Sequence, residues 1–323
     1  MKTSSISRIK SDSLSVLQIV ALCLILAAAI AAPFLLYPVF LMKALCFALF
    51  ACSYNLLLGY GGMLSIGHAA FFGGSAYVAG YAMKHFGFPP EIGILLGGLV
   101  GALLGFVFGW LAIRRTGIYL AMITLALAQI VFFASIQISF TGGENGLQQI
   151  PRGFLLGLFD LNDDINMYYF VLVVFLIGFF IIHRTVNSPF GQVLAAVRDN
   201  EDRATSLGYD VQKIKLVVFV ISAALAGVAG ATKSIVFQLA SLTDVNWHMS
   251  GEVILMTLIG GMGTRFGPVV GAIVIISLQT FFADLGSHIM TVQGGIFILC
   301  VLLFRKGIVG TLANLIENRG SIK

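Results

Sequence analysis

Ile92-Gly-Ile-Leu-Leu-Gly-Gly-Leu-Val-Gly-Ala-Leu-Leu-Gly-Phe-Val-Phe-Gly-Trp-Leu-Ala-Ile113 carries no charge along its whole length. At about 1.5 Å per residue such a run reaches about 33 Å, enough to cross the hydrocarbon of a bilayer as one helix. Its glycines have a register. Gly93, Gly97, Gly101, Gly105 and Gly109 recur every fourth residue. Small residues at that spacing form one helical stripe, which lets a second backbone approach closely. The reading is a membrane span pressed hard against another helix, in the same chain or in a partner subunit.

The rest of the chain has the same character. Of 323 residues, 59% are hydrophobic and only 10% are charged, against about 45–50% and about 25% in soluble domains. A water-soluble fold could not hide that much apolar surface. The composition therefore excludes a soluble enzyme, a disordered chain and a nucleic-acid module, and leaves an all-α, polytopic helical membrane protein. Apolar runs predict ten spans, near 16–36, 39–58, 64–83, 92–113, 117–139, 167–183, 214–238, 250–263, 267–283 and 288–304. The eighth is short, and is either a full crossing or a re-entrant element. The first begins like a signal peptide, after Lys2, Arg8 and Lys10. Its apolar run continues past Pro33 to Leu36, which reads as a retained helix.

The basic residues set the orientation. With the N-terminus inside and ten crossings, the inside segments hold Lys2, Arg8, Lys10, Arg114, Arg115, Arg184, Arg198, Arg203, Lys213, Lys215, Arg265, Arg305, Lys306, Arg319 and Lys323. The outside holds Lys84, Arg152 and Lys233, and Lys43 sits within a span. Both termini are thus expected on the cytoplasmic side. The expected organisation is a tail over 1–15, a transmembrane domain over 16–304 and a tail over 305–323. The domain includes an external loop over 140–166 and a cytoplasmic loop over 187–213.

The four cysteines, Cys23, Cys46, Cys52 and Cys300, lie in apolar runs with no metal-like spacing, and read as small buried hydrophobes. The external loop carries Glu144, Asp160, Asp163 and Asp164 against Arg152. It reads as a solvated acidic loop, and no metal site is expected. Two segments share a glycine pattern: Gly59-Tyr-Gly-Gly-Met-Leu-Ser-Ile-Gly-His68 and Gly260-Gly-Met-Gly-Thr-Arg-Phe-Gly267. They are either two tight turns or the traces of an internal repeat whose broken helices border a substrate path. In the second case Gly62, Ser65, Gly67 and His68 are the candidates to touch substrate. His68 then either donates a hydrogen bond to substrate or ties two helices together. Lys43 reads as a snorkelling residue. Ser250 and Glu252 read as a capped helix start.

The most specific stretch is Asn187-Ser-Pro-Phe-Gly-Gln-Val-Leu-Ala-Ala-Val-Arg-Asp-Asn-Glu-Asp-Arg-Ala-Thr-Ser-Leu-Gly-Tyr-Asp210. Ser188-Pro189 is a helix start. Phe190, Val193, Leu194 and Val197 share one face. Asp199 or Asn200 can cap a second short helix, which Gly208 closes. Two short amphipathic helices on the inside face are expected, with an apolar stripe suited to docking on a cytoplasmic protein.

Ala195-Ala196, followed by charged residues and Gly208, resembles the coupling loop of ATP-binding-cassette (ABC) importer permeases, with Leu194 where the usual motif has Glu and with the glycine displaced. Arg198-Asp199-Asn200-Glu201 leading to Leu207-Gly208 resembles one branch more closely. Further segments agree: Tyr54-Asn-Leu-Leu-Leu-Gly59, Gly62-Met-Leu-Ser-Ile-Gly-His-Ala-Ala-Phe-Phe-Gly73, Gly117-Ile-Tyr-Leu-Ala-Met-Ile-Thr-Leu-Ala126, Thr141-Gly-Gly-Glu-Asn-Gly146 and Gly260-Gly-Met-Gly263 with Gly267-Pro268. Together they resemble the branched-chain amino acid permease family (Liv-type, M-type subunit), over nearly the whole chain after residue 40.

The resemblance implies a permease subunit of an ATP-driven importer in a bacterial inner membrane, paired with a related permease. Two ABC ATPases would dock inside, on Ala195, Ala196, Arg198, Asp199, Asn200, Glu201, Leu207 and Gly208. An external binding protein would deliver leucine, isoleucine or valine, and could meet Thr141–Gly146. None of the nine lysines follows a glycine, so the chain has no Walker A motif of its own. It is expected to be no enzyme and to hold no cofactor, with ATP used by the partners. Urea permeases share these motifs and remain an alternative for the substrate. A stand-alone secondary transporter is the rival class, but it would need coupling carboxylates and no docking loop.

Overall fold

The computed structural model describes residues 27–138, 141–155, 157, 159–282, 294–295, 298 and 307–311. The expected first span is covered only in its second half, while the tenth span, both tails, Cys23 and Cys300 fall almost entirely outside the described residues.

The first long helix, α1 (Pro38–Asn55), starts on a proline and runs into a π-turn over Leu56–Tyr60. Residues 61–67 are not helical. The chain then forms α2 (His68–Phe86), α3 (Pro90–Ala112) and α4 (Ile118–Gln137). After a loop with short strands comes α5 (Asp164–Val186), N-capped by Asp163, which accepts from Ile165 N. Two short helices follow, α6 (Pro189–Asp199) and α7 (Glu201–Ser206). The chain returns through α8 (Val211–Phe237) and goes on into a helical hairpin, α9 (Trp247–Gly260) and α10 (Gly267–Phe281).

Five of these segments are long and apolar enough to cross a membrane among the described residues: Pro38–Tyr60, α3, α4, α5 and α8. The helix α2 falls short by composition, not length. It is buried along most of its course, so its surface meets protein and is built from Gly, Ala and Ser instead of the Leu and Ile that face lipid. The helices α9 and α10, at about 21 and 22 Å, are shorter than the hydrocarbon layer. The expected eighth span starts earlier than its apolar run, because Asn246 caps it by accepting from His248 N. Ser250 and Glu252 are therefore inside a helix and do not start one.

The glycine stripe of α3 meets α8 of the same chain. A Cβ on Gly97 would sit 2.4 Å from Ala231 Cβ, on Gly101 2.5 Å from Ala223 O, and on Gly105 2.3 Å from Ala223 Cβ. Backbones in that contact leave no room for a side chain, which is the packing small residues permit where lipid provides no hydrophobic drive. The hairpin of α9 and α10 closes in the same way: Gly260 and Gly271 lie against backbone of the facing helix, and Gly267 against the Thr264 hydroxyl and the backbone of 260–261. Aromatic rings fill the centre, with Phe50–Phe72 centroids 4.4 Å apart and Phe71–Phe108 5.0 Å apart. Cys46 and Cys52 are free and buried in this core.

Connections gather at two ends. At one, Lys84 Nζ donates to Gln148 O (2.8 Å), and Leu147–Gln148 pairs antiparallel with Leu239–Ala240. There too, Arg152 donates to Val236 O (2.9 Å) and pairs with Asp164. At the other end, Arg265 donates to Asn187 Oδ1 (2.8 Å) and the 188–208 helices meet the 59–63 turn. This is the same sorting of loops that alternate crossings predict for this part of the chain. Among the described residues no cluster of His, Cys, Asp and Glu is arranged to hold a metal; the aspartates of the acidic loop serve as a cap and an ion-pair partner.

Candidate functional site

The two short helices form as their caps dictate. Ser188 accepts from Gly191 N (3.3 Å) ahead of Pro189, and Asn200 accepts from Arg203 N (2.9 Å) to start α7. Gly208, at φ +88°, ends it in a conformation other residues seldom adopt. Asp210 then caps α8 through Lys213 N (3.1 Å). The side-chain hydrogen bond from Lys213 also holds the Asp210 carboxyl below its ordinary range.

The apolar stripe of α6 does not face outward. Leu194 and Val197 are fully buried and Phe190 packs on the same core. Helical spacing shows that a face is apolar, not what covers it, and here the chain's own helices cover it. Ala195 is half-buried. The outward surface is formed by Ala196, Asp199, Asp202, Arg203, Ser206 and Leu207. Leu207 stands out, at 70% exposed, as an apolar side chain in a polar setting.

Arg198 joins this element to the membrane helices. Its Nη1 donates to Gly59 O at 2.8 Å, while Nε and Nη2 donate to Asp199 Oδ1 at 3.2 and 3.1 Å. Gly59 lies within the π-turn at the end of α1, where wider winding leaves carbonyls less completely used by the helix. The Arg198 stem covers Gly62, whose missing Cβ would sit 2.7 Å from Arg198 Cγ. A second tie is the ion pair of Glu201 with Lys215, a lysine only 4% exposed. Gly61, Gly62, Thr116, Gly117, Arg198, Glu201 and Lys215 line one small cavity there.

The two glycine motifs touch each other. Asn55 Oδ1 accepts from Gly263 N (2.9 Å) and Asn55 Nδ2 donates to Thr264 O (3.0 Å). A Cβ on Gly59 would meet Gly263 N at 2.6 Å. In the sequence Asn55 stands out only as part of the Tyr54–Gly59 segment, although a lone amide in an apolar run is a signal for a buried polar tie.

Farther into the bundle, His68 is fully buried, with Nε2 2.9 Å from Ser222 Oγ, and Ser222 in turn donates to Ser53 O (2.5 Å). Tyr54, Phe50, Phe71 and Phe219 surround its ring. Of the two roles open to His68, its hydrogen bond with Ser222 serves the one that ties α2 to α8. Ser65 is buried and accepts from Gly67 N (3.3 Å). Thr124 of α4 accepts from Ile66 N (3.1 Å), and Ser250 of α9 from Ala69 N (2.9 Å). Three helices, α4, α8 and α9, thus hold the segment 61–69 through side-chain oxygens. Gly62, Ser65 and Gly67 lie along one non-helical connection, and His68 opens the helix α2 that follows it.

The protein family described as branched-chain amino acid transport system, permease component, matches residues 36–304. A high-affinity branched-chain amino acid transport system permease protein of Salmonella typhimurium, LivM, is 29% identical over 277 residues, covering 79% of this chain and 65% of the relative. Its namesake in Escherichia coli is 28% identical over the same shares. The chain thus spans less than two thirds of the length of these curated relatives. The ribose import permease protein RbsC of Bacillus subtilis is 27% identical over 248 residues, 72% of this chain and 73% of that protein. No solved structure matches.

Proposed function

The chain belongs to the branched-chain amino acid transport system permease-component family, and we propose that it is the membrane-embedded subunit of an ABC importer for leucine, isoleucine and valine. The proposed assembly adds a sister permease, two ATPases and an external binding protein, in the inner membrane of a bacterium. In it the 188–208 helices and the 59–63 turn face the cytoplasm, and the 141–164 loop faces out. Arg114, Arg115, Arg184, Arg198, Arg203 and Arg265 then all lie on the cytoplasmic side, which supports this orientation. Ten crossings and two cytoplasmic termini complete the topology.

One observation carries the mechanism: Arg198, on the short helices, grips the Gly59 carbonyl at the break between α1 and α2. An ATPase closing on the outward face of α6 and α7, with Leu207 as its apolar contact, pulls on that carbonyl directly. The glycines at 59–67 bend, α2 tilts, and Gly62, Ser65, Gly67 and His68 border the path that opens. The engine belongs to the partner chains, which use the ATP.

The test is co-reconstitution. Arg198→Ala should leave the assembled complex and its basal ATP hydrolysis intact and reduce leucine uptake about tenfold or more, the scale of losing a charged hydrogen bond. If R198A moves leucine at the normal rate per ATP, the latch is not the coupling element. Failure of ATPase chains to co-purify with the intact chain would remove the importer reading itself.

A further inference from the structure

Three polar side chains from three helices meet one to two turns inside the end that carries the 141–164 loop. Lys43 of α1 donates from Nζ to Gln279 Oε1 of α10 (3.5 Å), and Gln279 Nε2 donates to Glu252 Oε2 of α9 (3.1 Å). All three are half-buried. The two charges are opposite, yet they are joined through an amide and not by a direct ion pair.

A neighbouring pair shows what a purely structural ion pair looks like in this fold. Lys233 Nζ meets both oxygens of Asp244, at 2.8 and 2.6 Å, and the two close on each other. Lys43 and Glu252 remain apart, although desolvating each costs several kcal/mol. Gly251 precedes Glu252 on α9, and among the described residues a Cβ there would meet no atom within 4 Å. An unclosed pair of charges at membrane depth marks a place where something else completes the set.

The chemistry of Gln279 identifies that partner. Its carbonyl oxygen takes a hydrogen bond from an ammonium, and its NH2 gives one to a carboxylate. An amino acid offers stronger forms of both groups on one carbon, a carboxylate for Lys43 and an ammonium for Glu252. We propose that Lys43, Gln279 and Glu252 form a binding station for a zwitterionic amino acid on the outer part of the transport path. In it Gln279 holds the two charges apart in the empty state and gives way when substrate enters. Neither a sugar nor urea carries the two full charges this arrangement answers. The proposal rests on the importer reading above and assigns the residues that take the charged end of its amino acid substrate.

The experiment uses the complete importer in proteoliposomes, with leucine uptake and ATP hydrolysis measured together. Lys43→Gln and Glu252→Gln should each lower the leucine moved per ATP about tenfold, with binding-protein-stimulated ATP hydrolysis kept. Lys43→Arg, which retains the charge, should stay near the wild-type ratio. Retained stimulation also reports that the variants fold and assemble. A wild-type ratio in both neutral variants overturns the station and leaves the importer reading standing. Uptake and ATP hydrolysis falling in parallel overturns it as well, because that is the signature of a structural role. A wild-type importer that moves no amino acid removes the substrate reading, and the station with it.

Discussion

Asn55 and Gly263, 208 residues apart, share a 2.9 Å hydrogen bond that fastens the first glycine motif to the second. One side chain there satisfies a backbone N–H and, through Thr264, a carbonyl. Both lie at a helix hairpin where no helical partner is available. Asn55→Leu keeps the size and removes both bonds. We expect it to destabilise the chain by about 2–4 kcal/mol, the cost of two orphaned backbone groups. The midpoint of thermal aggregation in detergent reads the loss, and an unshifted midpoint would show that water replaces the amide.

The seam between α3 and α8 makes a sharper demand. A Cβ on Gly101 meets the Ala223 carbonyl at 2.5 Å, and a backbone atom cannot rotate away. Gly101→Ala should cost about 1–3 kcal/mol by overpacking. Gly98→Ala, whose Cβ would meet the Val228 Cγ2 side-chain atom at 3.0 Å and Ala224 O only at an ordinary 3.9 Å, should cost clearly less. Equal shifts in the two variants would mean that the helices separate easily.

The ion pair of Lys233 and Asp244 lends itself to a double-mutant cycle, because both side chains are nearly buried. Asp244→Asn leaves the lysine without its countercharge and should destabilise by about 3–5 kcal/mol. Lys233→Met together with D244N should recover much of that. Additive losses would show that the pair does not couple.

For Glu201 and Lys215, exposure divides the effect. Lys215 is buried and Glu201 is 45% exposed, so solvent offsets part of the pair's strength. Glu201→Gln should cost about 1–2 kcal/mol and loosen α7 from α8. Amide hydrogen exchange over 201–206 is the direct reading, and unchanged protection would be falsifying.

Much of this was legible in the residues, and the rest fails for physical reasons that can be named. The loop helices were readable because caps are local: Ser188-Pro189, Asn200 and Gly208 act within one turn of where they stand. The α3 stripe was equally plain, but its partner was not. Ala223, Gly227 and Ala231 repeat the same four-residue spacing on α8, a matching signal that was available. The direction of the Leu194–Val197 face was not readable, since periodicity is blind to what covers an apolar surface. Lys43, Glu252 and Gln279 lie in three separate runs. Each looks like an isolated polar residue until folding brings them together, so Lys43 read as snorkelling and Glu252 as a cap. The early start of α9 hung on Asn246, a capping residue just outside the apolar window.

Three successive turns of backbone contact between α3 and α8 have a mechanical result. Close-packed surfaces that interlock at carbonyl and Cβ cannot slide by fractions of a residue. A shift of one full residue would bring Leu104 or Phe106 where Gly105 now fits. The two helices must therefore travel as a single plank, and whatever gate the protein opens has to swing on the other helices around it.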